Sequence, residues 1–261
     1  MSAAALPAPA PLVEPDLNIK NVLRDTRRLY QRLFARSVGL GLIIFGALEL
    51  VRIGMGRTSS IPAATAALVG AALSLVGTSL VQGALAESVR DVHVGAEPAG
   101  IRESYERAAA RLGSLVAVSV LSSLGIALGF VLLIVPGIVC MTRWAVAVPV
   151  VMYEGASPRE ALRRSSQLVR GHGRDVWVVI VNAAVRAVVV GLVIGTAASW
   201  QGSLLAAWIG TTVAAAVTTP YVAHTLSVLY YRLTEPDCPL IPEPGRRWDS
   251  VWREDEARQS K

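Results

Sequence analysis

Charge is scarce in this chain: Asp, Glu, Lys and Arg make up only 17% of its 261 residues, against 53% hydrophobic. That balance is too apolar for a water-soluble domain of this length. Cysteine is nearly absent, and its two residues form no framework, because Cys140 lies in an apolar run and Cys238 in a charged tail. A structural disulfide is not expected in a reducing compartment. The three histidines, His93, His172 and His224, show no metal-ligand spacing, so no metal site is expected. Neither a P-loop nor a GxSxG elbow occurs, which argues against an ATPase subunit and a serine hydrolase, and no cofactor is implied. The opening MSAAALPAPAPLVEP lacks the positive start and apolar core of a secretory signal, and residues 1–16 are expected to form a disordered tail.

What fills the chain instead is apolar sequence in lengths that suit a bilayer. A hydrocarbon core about 30 Å thick needs roughly 20 residues of helix at about 1.5 Å each. Six crossings are predicted, at Ser37–Ile53, Ile61–Ala86, Gly113–Val135, Pro136–Tyr153, Val176–Ser199 and Gly202–Leu229. The third and fourth are joined by LIVPGIVC with no polar loop, where Pro136 and Gly137 predict a tight hairpin or a re-entrant pair. The membrane portion is thus 17–233, followed by a flexible tail over 234–261 whose Trp248 and Trp252 suit a membrane surface or a partner.

Positive charge is sorted onto one side of these crossings. Lys20, Arg24, Arg27, Arg28, Arg32 and Arg36 precede the first; Arg90, Arg102, Arg107 and Arg111 follow the second; Arg159, Arg163, Arg164, Arg170 and Arg174 follow the fourth; six more lie after the sixth. The opposite side has Arg52 and Arg57, and Arg143 and Arg186 lie within crossings. The positive-inside rule therefore predicts both termini on the cytoplasmic face of a cytoplasmic membrane. Charge sorted by topology also removes any need for nucleic acid as a partner.

Before each pair of crossings the spacing predicts an amphipathic cytoplasmic helix. Ile19, Val22, Leu23, Leu29, Tyr30 and Leu33 mark the first; Ile101, Tyr105, Ala108 and Leu112 the second. The third opens on Ser157, Pro158 and Glu160, a capping-box pattern, and stops at Gly171. GAEP before Arg102, Glu103 and Arg107 parallels GASP before Arg159, Glu160 and Arg164, which suggests a repeated unit of helix plus hairpin. Such helices place Arg159, Arg163, Arg164 and Arg170 at lipid headgroups, where each is worth on the order of 1 kcal/mol against an anionic leaflet.

The intramembrane polar residues are the candidate site. Arg186 falls mid-span, where an arginine costs at least about 2.5 kcal/mol. Asn182 lies one turn earlier on the same face, which is therefore the expected inward face; His224 and Arg143 are the other candidates for an anion site or an internal polar clamp. Glu49 and Arg52 are spaced to pair. Gly125 with Gly129, and Gly191 with Gly195, have the spacing of close helix contacts.

The stretch PGIVCMTRWAVAVPVVMYEGASPREALRRSSQLVRGHGRDVW resembles a bacterial family of membrane domains, named after those fused to some glycerophosphodiester phosphodiesterases. The matching positions are Pro136, Gly137, Arg143, Pro149, Glu154, Gly155, Ala161, Leu162, Arg164, Ser165 and Gly171, and VLRDTRRLYQRLF resembles the family's entry helix. The resemblance implies an integral membrane domain without an established activity; the phosphodiesterase itself is a barrel of roughly 250 residues, for which this sequence leaves no room. The expected molecule is an all-α, six-span bundle that is not an enzyme, binds membrane lipid, notably anionic lipid, or scaffolds membrane or cytoplasmic proteins. Two other classes fit the residues: a carrier of an anionic or amphiphilic substrate, and a membrane enzyme of lipid metabolism.

Overall fold

The computed structural model describes residues 19–57, 62–94, 100–200 and 202–235. The readings made above for 1–16, the GAEP turn, Cys238, Trp248 and Trp252 lie outside them. The described residues are almost wholly helical, in the order α1 (Ile19–Arg57), α2 (Ala63–His93), α3 (Ile101–Ala110), α4 (Leu112–Leu132), α5 (Ile134–Arg143), α6 (Ala147–Glu154), α7 (Pro158–Leu168), α8 (Gly173–Ser199) and α9 (Leu204–Thr234). Six helical stretches are long and apolar enough to cross a membrane, the fourth being α5 and α6 together. Helices satisfy their own backbone polar groups, which is what lets them stand in hydrocarbon. The chain is a multi-pass, all-α membrane protein.

Packing is uneven along the bundle. The main core gathers at the arginine-rich end, where Val22 and Leu29 of α1, Val89 of α2, Leu115 of α4, Val150 and Met152 of α6, Val176 of α8 and Leu229 of α9 are fully or almost fully buried. At the opposite end Val131, Leu132, Leu192, Val193 and Leu205 are each more than 60% exposed. In water such a surface would drive association; against acyl chains it is the expected exterior.

Three expectations are corrected. The entry helix and the first crossing are one 39-residue helix, because nothing between Arg36 and Ser37 stops it. The turn between the third and fourth crossings is at Leu133, whose backbone is extended (φ −164°), and not at Pro136 and Gly137. Pro136 instead lies in the first turn of α5, where its missing N–H costs no helical bond. Gly137 serves close approach: a Cβ on Gly129 of α4 would lie 2.8 Å from its Cα. The fourth crossing then bends at Trp144–Val146, which turns the eight-residue α6 into the basic-end core. Finally, Ser157 is the N-cap of α7 with Pro158 after it, but its side chain makes no capping hydrogen bond.

Of the two glycine pairs, only Gly125 and Gly129 meet a neighbouring helix closely, against Trp144 and Gly137; Gly195 faces open space. Gly129→Val is therefore expected to destabilise by about 1–3 kcal/mol through overpacking. Gly195→Ala should change stability by no more than about 0.5 kcal/mol. Thermal melts of both variants in detergent check this, and equal melting points would refute the contact.

Candidate functional site

The residues around Arg186 are positioned by the seam between α1 and α9, which run antiparallel. Near their basic ends Arg232 of α9 donates to Asp25 of α1 at 2.5 Å, a pair whose side chains are both mostly buried. Further along, Ser37 Oγ lies 2.9 Å from His224 Nε2. A Cβ on Gly41 would lie 2.9 Å from the Ala216 Cα, so the two backbones touch. Between these contacts Tyr30 donates its hydroxyl to the Val217 carbonyl at 2.9 Å. Pro220 lies inside α9 about one turn later and supplies no N–H to the Ala216 carbonyl.

With α1 and α9 so fixed, α8 packs beside α9 and leaves a groove of about 570 Å³ open to the side of the bundle. Val185, Val189, Val190 and Val217 make its walls apolar, and Arg27, Arg186, Tyr30, Tyr221 and Thr218 are its polar lining. Arg186 Nη1 donates to the Tyr221 hydroxyl at 3.0 Å. The Tyr221 ring stands edge-on to Tyr30, with centroids 5.8 Å apart. Arg186 makes no ion pair among the described residues, so a cation deep in an apolar span is met by one phenol. The face it shares with Val185 is exposed, which corrects the expectation of an inward face.

The four residues expected to share a site are dispersed. His224 is fully buried and belongs to the α1–α9 seam; it reaches Arg186 only through Tyr30 and Tyr221. Asn182 is partly buried, and its Oδ1 is enclosed with no hydrogen-bond partner. Arg143 ends α5 at the basic end, beside the α7–α8 turn and not beside Arg186. Arg27, Tyr30 and Tyr221 were missed because each is unremarkable in sequence and is selected only by the register of α1 against α9.

The residues of the family resemblance have packing roles. Glu154 accepts from Arg164 Nε at 3.2 Å and from the Tyr230 hydroxyl at 2.9 Å, tying α6 to α7 and α9. Buried Ser165 donates to the Arg143 carbonyl at 2.8 Å, and Pro149 lies in the first turn of α6. Gly155 (φ +68°) and Gly171 (φ +92°) have left-handed backbones. Arg159, Arg163 and Arg170 are exposed, as headgroup contacts would be.

A second polar cluster joins α2 to α3. Arg107 faces Glu103 at 2.6 Å, Asp91 at 3.3 Å and Glu87 at 3.6 Å. Its hydrogen bond to Glu103, with the neighbouring carboxylates, raises its pKa, and burial pushes the Tyr105 phenol up. Tyr105 donates to the Leu40 carbonyl, anchoring α3 on α1. Arg90 also lies 3.9 Å from Glu87, so charges of both signs interlock here, which suits a clamp. Glu49 and Arg52 pair as expected, at 3.2 Å. No group of three or more His, Cys, Asp or Glu side chains arranged for a metal occurs among the described residues.

No family model, curated protein or solved structure matches the chain.

Gly155→Ala tests the packing role of the resemblance residues. The substitution strains a left-handed backbone and sets a Cβ 2.8 Å from Arg111 Nη1. A loss of about 1–3 kcal/mol is expected, read as a lower melting temperature, with no change in lipids retained per folded molecule. A normal melt with altered lipid content would contradict that role.

Proposed function

We propose that this protein is a non-catalytic binder of an anionic amphiphile, held in the lateral groove between α1, α8 and α9. The observation that carries the reading is Arg186, an arginine within a span that faces an apolar groove and, among the described residues, meets only a tyrosine hydroxyl. Such a charge is tolerated where it finds a counter-charge, water or a headgroup. An acidic head between Arg27 and Arg186, with its chain along Val185, Val189 and Val217, would supply that counter-charge and fill the apolar wall. Because the groove opens sideways while the seam at His224 is filled, binding from the bilayer fits better than passage through the bundle.

The membrane assigned here is the cytoplasmic one, with both termini on its inner face, by the distribution of arginine. Asp25 of α1 and Arg232 of α9 lie together, so the described chain begins and ends on one side, in keeping with that orientation.

Native mass spectrometry of protein released gently from its own membranes tests the reading. Wild type should carry a defined acidic amphiphile that Arg186→Gln loses at least about tenfold, the scale of one charge-assisted hydrogen bond. Adducts unchanged in a folded Arg186→Gln variant would refute it.

A further inference from the structure

A second basic groove lies between α5, the α7–α8 turn and the start of α8. Arg143 at the end of α5, Arg170 in the α7–α8 turn and Arg174 in the first turn of α8 line one cavity of about 420 Å³. Ile138, Val139 and Trp177 form its apolar side. Arg143 is far in sequence from Arg170 and Arg174, and the bend at Trp144–Val146 starts the return through α6 and α7 that brings them together. None of the three makes an ion pair among the described residues. Asp175, the acidic residue in the first turn of α8, does not line the groove.

The backbone adds to the charge. His172, the N-cap of α8, offers no side-chain cap, so the first amides of that helix have no acceptor from it. Gly171 and Gly173 stand on either side of it, and a Cβ on either would meet nothing within 4 Å. The turn is therefore open to a ligand. Arginine forks match phosphate oxygens two at a time, and helix amides add to the same field. A phosphomonoester carries a charge of about −1.5 to −2 and three terminal oxygens, which three guanidinium groups balance better than a phosphodiester's single charge. Trp177 and the aliphatic side chains of α5 give the groove an apolar side of the kind that suits the boundary between headgroups and acyl chains.

We infer that the Arg143, Arg170 and Arg174 groove is a binding site, separate from the Arg186 groove, for the phosphomonoester headgroup of an inner-leaflet lipid. The test uses the full chain in nanodiscs of phosphatidylcholine doped with phosphatidic acid or phosphatidylglycerol, with bound lipid counted after detergent release. Phosphatidic acid should be enriched over phosphatidylglycerol. Arg143→Gln and the double variant Arg170→Gln with Arg174→Gln should each reduce that enrichment at least about tenfold. Arg186→Gln should leave it intact, so this site and the amphiphile groove succeed or fail separately. Millimolar inorganic phosphate should not displace the lipid; displacement would assign the site to free phosphate and overturn the lipid assignment. Equal retention of both lipids would overturn the monoester preference. An equal loss on neutralising Arg159 and Arg163, which lie outside the groove, would show bulk charge in place of a site. Folded state is read by size exclusion, and Arg143→Lys, which keeps the charge without the fork, should retain part of the enrichment.

Discussion

The seam between α1 and α9 is the constraint on which the other features depend. In hydrocarbon, apolar side chains gain little from leaving lipid for one another, so close contact must come from small residues and polar pairs. The seam has both: Gly41 against Ala216, Ser37 with His224, Tyr30 with the Val217 carbonyl, and Asp25 with Arg232 at the basic end. These four contacts fix the register of two long helices from distant parts of the chain. Through Tyr221 they also fix where Arg186 can rest. Slip the register and the groove loses its polar lining.

The second organising feature is the contrast between the two ends of the bundle. At the basic end α6 and α7 fold into a core held by Glu154, Arg164, Ser165 and Tyr230, and α3 is clamped by Arg107 and Tyr105. At the other end the helices present aliphatic surface to lipid. Both proposed grooves set arginines beside exposed aliphatic side chains, Val185 and Val189 in one and Val139 in the other. That placement suits ligands that come from the bilayer, because a headgroup meets arginines while its chains remain among lipids.

Much of this was legible in the residues, for reasons that can be stated. Six crossings follow from run length alone, and the position of Arg186 from its being a charge in an apolar run. The Ser157–Pro158 start of α7 and the Glu49–Arg52 pair are local, and local spacing determines them. The bend at Trp144–Val146 was not legible, since it contains neither proline nor glycine and is imposed by the burial of α6. Pro136 and Gly137 misled because a Pro-Gly pair has two uses, turning a chain and starting a helix against a close neighbour; Gly129, eight residues earlier, decides between them. The partners of Arg186 and Arg143 depend on which helices pack together. No pattern within one helix encodes that.

The central claim is that the lateral groove between α1, α8 and α9 is a ligand site and not a packing defect. An experimental structure of the protein in nanodiscs formed from its own membrane lipids addresses it most directly. Headgroup density between Arg27 and Arg186, with chain density along Val185, Val189 and Val217, is the predicted result. A groove closed by repacked side chains, or one open to mobile lipid while Arg186 turns to a residue of the protein, would contradict it.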